Sequence, residues 1–550
     1  MPGLRSTAFL FAVFAMLAVA LNVPARAQDV STTLDGYLTN LVPLGFSGNA
    51  IVVQRGKVLL EKGYGLADRE NRIAVTPHTV MTVGSISKQF TAAAVLKLEM
   101  QGKLHTTDPI SRYLPNVPDD KRNITIHELL THTAGLASDY GEGDYEPIDR
   151  DPYVARVLAA PLESPPGTHF SYSNAGYGLA AAIVERVSGT SYERFLHDNL
   201  FAPAGMSETG FHIPQWKAGQ VAVGYNGDER WGTMPEHWAP AGPYWNQIGS
   251  GGVQSTPHDM YFWTVALSGD SILSAAERKK FQTGYVASGP DSQYAYGWGI
   301  RQTPVGLLIS HNGGNRTFFS DFLRFIDRDT IIYIASNEST IPATLLSRPL
   351  AYITFNVPVD VPPALATLPA SVWHSRSGTY QTPDGRRLSI ARDKDALALA
   401  TSDPDVFDAL SEKLPPAVTS DTTAKTQAFI KNGGPVDSED HPNWQRLVKA
   451  NGALRSATLL GVASQRGTPA AWIIAQFGQA KKYVELVWDS GELAEVSATD
   501  DAPAFRYYPQ SAEQFFSYDP ATSTLQRLSF DRRGRLRIGT LELSRVDRDE

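Results

Sequence analysis

Val83-Gly84-Ser85-Ile86-Ser87-Lys88-Gln89-Phe90-Thr91-Ala92 is the stretch on which the reading of this chain turns. From Ser85 to Met100 apolar residues recur at helical spacing (Phe90, Ala94 and Leu98, with Val95 beside them), and Gln101-Gly102 supplies a C-cap signal. The spacing predicts a helix over 85–100. Residues three apart on a helix are neighbours on one face, so Ser85 and Lys88 can meet at its start. The free backbone N–H groups of a helix N-terminus favour a developing oxyanion. Lys88 can take a proton from Ser85 only if it is neutral, which burial and a nearby positive charge both promote. Two fixed positions also arise by chance in a long chain, and the plain alternative is Ser85 as an N-cap beside a solvated Lys88.

Two further groups lie downstream. Tyr172-Ser173-Asn174 follows Pro165-Pro166-Gly167 and precedes a helix expected from Ala175 to Val187. The Tyr172 hydroxyl can shuttle a proton if adjacent cations lower its pKa, and Asn174 offers a donor and an acceptor to an amide-like substrate. The alternative is an asparagine N-cap beside a packed tyrosine. Ser310-His311-Asn312-Gly313-Gly314 is expected to end a strand. Its glycines let a substrate backbone approach closely, and the Gly314 N–H can join that of Ser85 in an oxyanion hole. His311 offers a positive or hydrogen-bonding group, or is a surface histidine in a turn.

The surrounding pattern mixes strands and helices. Ala50–Val53 and Lys57–Leu60 flank Gln54-Arg55-Gly56 as a hairpin. Helices are expected at Tyr192–Leu200 and Pro257–Ser268. Tyr294–Arg301, Val305–Ser310, Phe318–Ile326 and Ile331–Ser336 form an antiparallel meander.

Taken in order, Ser85-x-x-Lys88, Tyr172-x-Asn174 and His311-x-Gly313 resemble the motifs of the serine β-lactamase and penicillin-binding protein superfamily. The resemblance points to its class C β-lactamase-like, D-aminopeptidase and β-lactamase-related esterase branches. Thr125-Ile126-His127-Glu128-Leu129-Leu130-Thr131-His132-Thr133-Ala134-Gly135-Leu136, Gly251-Gly252-Val253-Gln254-Ser255-Thr256 and Tyr296-Gly297-Trp298-Gly299 add to it, over about residues 30–356. It implies an α+β fold, an antiparallel sheet flanked by helices plus an all-helical subdomain, and no cofactor or metal. It further implies Ser85 as the acylated nucleophile, Lys88 as its proton acceptor or electrostatic activator, and Tyr172 as general base and later acid. Asn174 would hold the substrate amide and Lys88, His311 would tune Tyr172, and Gly313 and Gly314 would border the oxyanion. Which of Lys88 and Tyr172 takes the first proton stays open, because the two titrate as a coupled pair.

One departure narrows the activity. His311 stands where β-lactamases and carboxypeptidases of the family usually carry lysine, and a histidine is mostly neutral near pH 7. Hydrolysis of another ester, amide or D-amino-acid peptide is therefore expected ahead of β-lactamase or D-Ala carboxypeptidase activity. Arg316 either restores a cationic contact or faces solvent. The other reading is a catalytically inactive relative that binds cell wall or a protein, against which the presence of Ser85, Lys88, Tyr172 and Asn174 together argues. Specificity is expected to reside in the walls Asp139 to Asp149 and Trp231 to Trp245.

His127-Glu128-Leu129-Leu130-Thr131-His132 looks like a zinc-hydrolase helix, but its histidines are five apart. Five residues turn a helix through about 500°, leaving the rings about 140° apart, so the stretch reads as structural.

The whole chain has 550 residues, 42% hydrophobic and 19% charged, with no cysteine. That excludes disulfides, thiolate zinc, iron–sulfur clusters and a cysteine nucleophile. A net charge of −8 gives no field that would gather nucleic acid or an anionic membrane. Arg5, an apolar run from Ala8 to Val23 and Ala25-Arg26-Ala27 read as a signal peptide over 1–27, implying a secreted protein of the bacterial periplasm that is free of the membrane after cleavage. The hydrolase region is expected over 28–356 and a Pro-rich linker over 357–370. A β-rich accessory domain follows over 371–550, with a barrel as one reading of its strand-like runs, among them Thr458–Ala463, Trp472–Phe477 and Tyr483–Trp488, and a polar stretch near 405–450, helical in one reading, interrupting it. No oligomeric state follows from the sequence.

Overall fold

Arg55 and Gly56 both adopt positive φ (52° and 71°), the geometry a two-residue hairpin needs to match strand twist. They join β1 (Gly48–Gln54) to β2 (Lys57–Tyr64), as expected. The computed structural model describes residues 29–546 apart from 142, 241, 436–440, 466, 479 and 490; the expected leader lies outside the described residues. The chain divides into two units at Pro358/Val359.

In the first unit the hairpin is the edge of an eight-stranded antiparallel sheet. Its other strands come from the far end of the unit: β3 (Val286–Gly289), β4 (Ser292–Tyr294), β5 (Gly299–Thr303), β6 (Gly306–Asn315), β7 (Phe318–Phe325) and β8 (Thr330–Ser336). The order is β2-β1-β8-β7-β6-β5-β4-β3. The run expected from Tyr294 to Arg301 is thus two strands, parted by Ala295–Trp298. β8 is buried along its whole length, covered by α5 (Pro257–Ser268) and α6 (Ser347–Thr354). A further helix, α1 (Val30–Leu41), packs on β2 and α6.

Between β2 and β3 lies the helical part, including α2 (Ser87–Met100), α3 (Ile126–Leu130) and α4 (Asn174–Ser188). α2 is buried almost all round, from Ser87 through Leu96 and at Leu98, which identifies a central helix rather than an amphipathic surface one. Its start differs from expectation: Gly84–Ile86 form a separate 3₁₀ turn, so Ser85 precedes the α-helix proper.

The second unit is β-rich, as expected, and contains a closed barrel. β9 (Gly378–Gln381), β10 (Arg387–Asp393), β11 (Ala396–Ala400), β16 (Ala504–Pro509), β17 (Gln514–Asp519), β18 (Thr524–Phe530), β19 (Leu536–Ile538) and β20 (Leu541–Val546) close it in that order. Among the described residues, the 400–504 span inserts the helices α7 (Pro404–Leu410), α8 (Pro416–Asn432) and α9 (Pro442–Asn451). It also inserts a separate four-stranded sheet of β12 (Leu454–Gln465), β13 (Thr468–Phe477), β14 (Lys481–Asp489) and β15 (Glu492–Thr499). The strand-like runs at 458–488 are therefore not barrel staves: their apolar faces pack on Phe429 and Trp444 of the inserted helices. No helix among the described residues is long and apolar enough to cross a membrane.

Candidate active site

Lys88 is fully buried, and its Nζ has three oxygen neighbours: Ser85 Oγ at 3.1 Å, Asn174 Oδ1 at 2.7 Å and the Ser250 carbonyl at 2.9 Å. The folding of each partner explains the convergence. Ser173, not Asn174, caps α4, accepting the Gly176 N–H at 3.1 Å. Asn174 is left free to point at Lys88, and its Nδ2 donates to Asp139 Oδ1 (2.9 Å), which fixes Oδ1 as the end facing the amine. The Ser250 carbonyl is held by straps on either side: the Val253 N–H donates to Ser87 Oγ (3.1 Å) and Thr91 Oγ1 donates to the Gly249 carbonyl (2.6 Å).

A neutral amine has two hydrogens and one lone pair. Asn174 Oδ1 and the Ser250 carbonyl can only accept, so they take both hydrogens and leave the lone pair for the Ser85 O–H. Burial lowers the Lys88 pKa to about 7, only partly offset by the carboxylates of Asp139 and Asp144. The expectation of a lysine neutralised by burial is met; the expected help from a neighbouring positive charge is replaced by opposing negative ones.

Tyr172 lies beside this pair. Lys88 Nζ sits 4.7 Å from its ring centroid, and its hydroxyl is hydrogen-bonded to Ser85. Burial holds the Tyr172 pKa above the ordinary range, the Ser85 contact working against it. The reading that adjacent cations lower this pKa is thus corrected: desolvation dominates, the Asp139 carboxylate adds to it, and the group is a neutral phenol.

The His311 motif is inside a strand and not at its end. β6 runs on to Asn315, with Gly313 paired to Ser320 and Gly314 to Phe319, and the turn falls at Arg316 (φ 58°). Glycine's weak strand preference made the ladder look finished early. The strand presses on the nucleophile turn: a Cβ on Gly313 would lie 2.0 Å from the Val83 carbonyl, and one on Gly84 (φ +52°) 2.7 Å from Gly314 N. Gly314 itself is exposed, so this strand face opens to solvent beside Ser85. His311 is buried. Its Nδ1–H donates to the Asn312 carbonyl (2.6 Å), so Nε2 accepts from the Tyr294 hydroxyl (3.0 Å). Burial and Lys88 lower its pKa to about 4, so it is neutral; the positive and surface readings both fall away. Its ring is 6.2 Å from that of Tyr172, and its polar contact goes to Tyr294.

His132, read as structural, belongs to this neighbourhood. α3 ends at Leu130 and His132 has φ 58°, so the helical-wheel angle does not apply to it. The two histidines nevertheless part: His127 Nδ1 pairs with the Tyr296 hydroxyl (2.7 Å), while His132 Nδ1 accepts the Ser173 N–H (2.9 Å). The His132 ring lies 4.3 Å from that of Tyr172. The expected walls also meet: Tyr145 hydrogen-bonds Asn315, Trp231 lies 5.6 Å from the Tyr145 ring, and exposed Arg316 sits 5.7 Å over that ring.

Sequence reasoning missed Ser250, Asp139 as the partner of Asn174, His132 and Tyr294. A backbone carbonyl carries no sequence signal, and the other three act through neighbours that only the fold supplies.

Comparison with known proteins agrees with this geometry. The Beta-lactamase family profile matches residues 45–352. The putative penicillin-binding protein PbpX of Bacillus subtilis (strain 168) is 34% identical over 288 residues, covering 52% of this chain and 68% of that protein. Penicillin-binding protein 4* of the same organism is 28% identical over 379 residues, covering 64% and 83%. Among solved structures, the octameric penicillin-binding protein homologue from Pyrococcus abyssi aligns with TM-score 0.53 at 19% identity, over 94% of this chain and 100% of that one. A beta-lactamase/D-alanine carboxypeptidase from Pseudomonas syringae aligns with TM-score 0.52 at 22% identity, over 60% and 98%. At such identities the structures speak to the fold alone. With its residues 45–352 matched and Ser85, Lys88, Tyr172 and Asn174 brought together, the chain belongs to the beta-lactamase family of serine hydrolases.

Proposed function

We propose that the protein hydrolyses an ester or amide through an acyl-enzyme on Ser85, with Lys88 as the first proton acceptor. The observation that carries this is the arrangement at Lys88 Nζ, where two obligate acceptors hold both hydrogens and direct the lone pair to Ser85 Oγ. Lys88 takes the Ser85 proton as Oγ bonds to the substrate carbonyl carbon, and the resulting oxyanion is received by the Ser85 and Gly314 N–H groups. Tyr172, a neutral phenol, protonates the leaving group and regains a proton from the Lys88 ammonium. Water then releases the acyl group by the reverse relay, which regenerates the Ser85 hydroxyl.

The substrate reading rests on charge. His311 is neutral, and the charged groups acting on Lys88 are the carboxylates of Asp139 and Asp144, so among the described residues a substrate carboxylate finds no fixed cation beside them. This favours a neutral ester or an amide bearing a free ammonium, as in a D-aminoacyl amide, over a penicillin or a terminal D-alanine. Arg316 at the rim works the other way. A panel of short-chain p-nitrophenyl esters, D-alanyl-p-nitroanilide, nitrocefin and D-Ala-D-Ala peptides tests it. Turnover of the first two is expected, and a higher kcat/KM for nitrocefin or the dipeptide would reverse the assignment. Export to the periplasm through the 1–27 leader belongs to the same proposal, and is checked by N-terminal sequencing of the mature protein, expected to begin at Gln28.

A further inference from the structure

Along β7 alternate residues share a face, so Ser320, Phe322 and Arg324 point the same way. Ser320 Oγ donates to the Val83 carbonyl (2.8 Å) beside the nucleophile turn, and Phe322 is wholly buried. Two residues on, the same buried face carries an arginine. Arg324 is only 6% exposed, its Nε and Nη1 have no hydrogen-bond partner, and among the described residues it makes no ion pair. Trp298, whose ring centroid lies 5.6 Å from the guanidinium carbon, also leaves its buried Nε1 unpartnered. These orphaned groups are all donors. Burial draws the Arg324 pKa down to about 10 with no acidic neighbour to offset it, so the group is charged at neutral pH. A buried charge without a partner is costly, and an acceptor arriving from solvent would relieve that cost.

Arg324 lines an open cavity of about 500 Å³, to which Arg278 and Lys279 of the helix Ala275–Phe281 also contribute. None of the lining residues belongs to the Ser85 site. Three are cationic and one, the exposed Asp329, is acidic. Arg278 is already engaged by Asp270 (2.5 Å) and the Leu273 carbonyl (2.8 Å), whereas Lys279 is exposed at the rim. Leu267, Phe325 and Ile331 add apolar surface to a wall that also carries the polar side chains of Thr264, Gln282 and Thr330.

We propose that this cavity is an anion-binding site, distinct from the catalytic cleft, that takes the phosphate or carboxylate group of a small organic anion on Arg324, with Lys279 at its mouth. An oxyanion only accepts hydrogen bonds, which matches the unpartnered donors of Arg324, and a planar guanidinium is suited to its paired oxygens; Trp298 lies behind Arg324 and does not line the cavity. The volume exceeds that of a bare oxyanion, and the apolar part of the wall suits the body of an organic ligand.

The test uses the full chain and three salts at matched ionic strength: sodium phosphate, sodium acetate and sodium chloride. Phosphate or acetate is expected to raise Tm saturably by roughly 3 °C where chloride does not, and the stronger of the two identifies the head group. Arg324→Met should abolish that response while retaining the far-ultraviolet circular dichroism of the unaltered protein. Because Arg324 also packs on Trp298, Lys279→Glu at the exposed rim is the second variant, expected to raise the apparent Kd at least about fivefold. Equal responses of the unaltered protein to all three salts would overturn the proposal, as would an undiminished response in both variants.

Discussion

Lys88 Nζ lies 3.1 Å from Ser85 Oγ at the bottom of a site that gives the lysine no exposure to solvent. Burial sets the chemistry of the pair: it makes the amine a base near neutrality and holds the serine within its reach.

Replacing Lys88 with methionine should lower kcat/KM on a p-nitrophenyl ester by about 10³-fold, within the range for loss of a general base. Lys88→Arg should not recover it, since a guanidinium does not lose its proton. A variant retaining a tenth of the activity would remove Lys88 from the mechanism. The same methionine relieves a buried amine, so its Tm should equal or exceed that of the unaltered protein.

Because Lys88 must be neutral, kcat/KM should rise with pH through about 7 and then level off. The Asp139 carboxylate raises the Lys88 pKa, so Asp139→Asn should move this acid limb to lower pH while also loosening Asn174. An unchanged or upward-shifted limb would contradict the assignment.

The linked effect on stability has its own sign. The folded pKa of Lys88, about 7, lies below its ordinary value of 10.5, so between these the unfolded chain binds more protons and Lys88's contribution to stability grows as pH rises. Urea melts of Lys88→Met and the unaltered protein should therefore converge from pH 7 towards pH 10. A difference independent of pH would show that the amine is not titrating there.

Gly313→Ala should lose about 10²-fold in kcat with a lowered Tm, since its Cβ would lie 2.0 Å from the Val83 carbonyl, a backbone atom that cannot rotate away. Gly314→Ala meets only the edge of the Phe319 ring, at 3.5 Å, and should keep its Tm. Equal melting temperatures for the two would contradict the close packing of β6 on the nucleophile turn.

Much of the fold and site was legible because it rests on local pattern. The hairpin at Arg55-Gly56, the central helix behind Ser85 and the order of the three motifs all leave marks in neighbouring residues. What was not legible depends on burial or on backbone. Adjacent cations are expected to lower the Tyr172 pKa and His311 is offered as a positive or hydrogen-bonding group, whereas desolvation raises the one pKa and keeps the other group neutral. The Ser250 carbonyl has no side-chain signature, and His132 was set aside by a helical angle that fails once α3 ends at Leu130. In the second unit, β12 to β15 form their own sheet and are not part of the barrel, because the helices that cover it come from the polar stretch before them.

The central claim is that Ser85 carries the acyl group. Treating the full chain with a fluorophosphonate probe and mapping the adduct by peptide mass spectrometry tests it most directly: the adduct is expected on Ser85 alone and absent from Ser85→Ala, whereas equal labelling of both proteins would contradict the account.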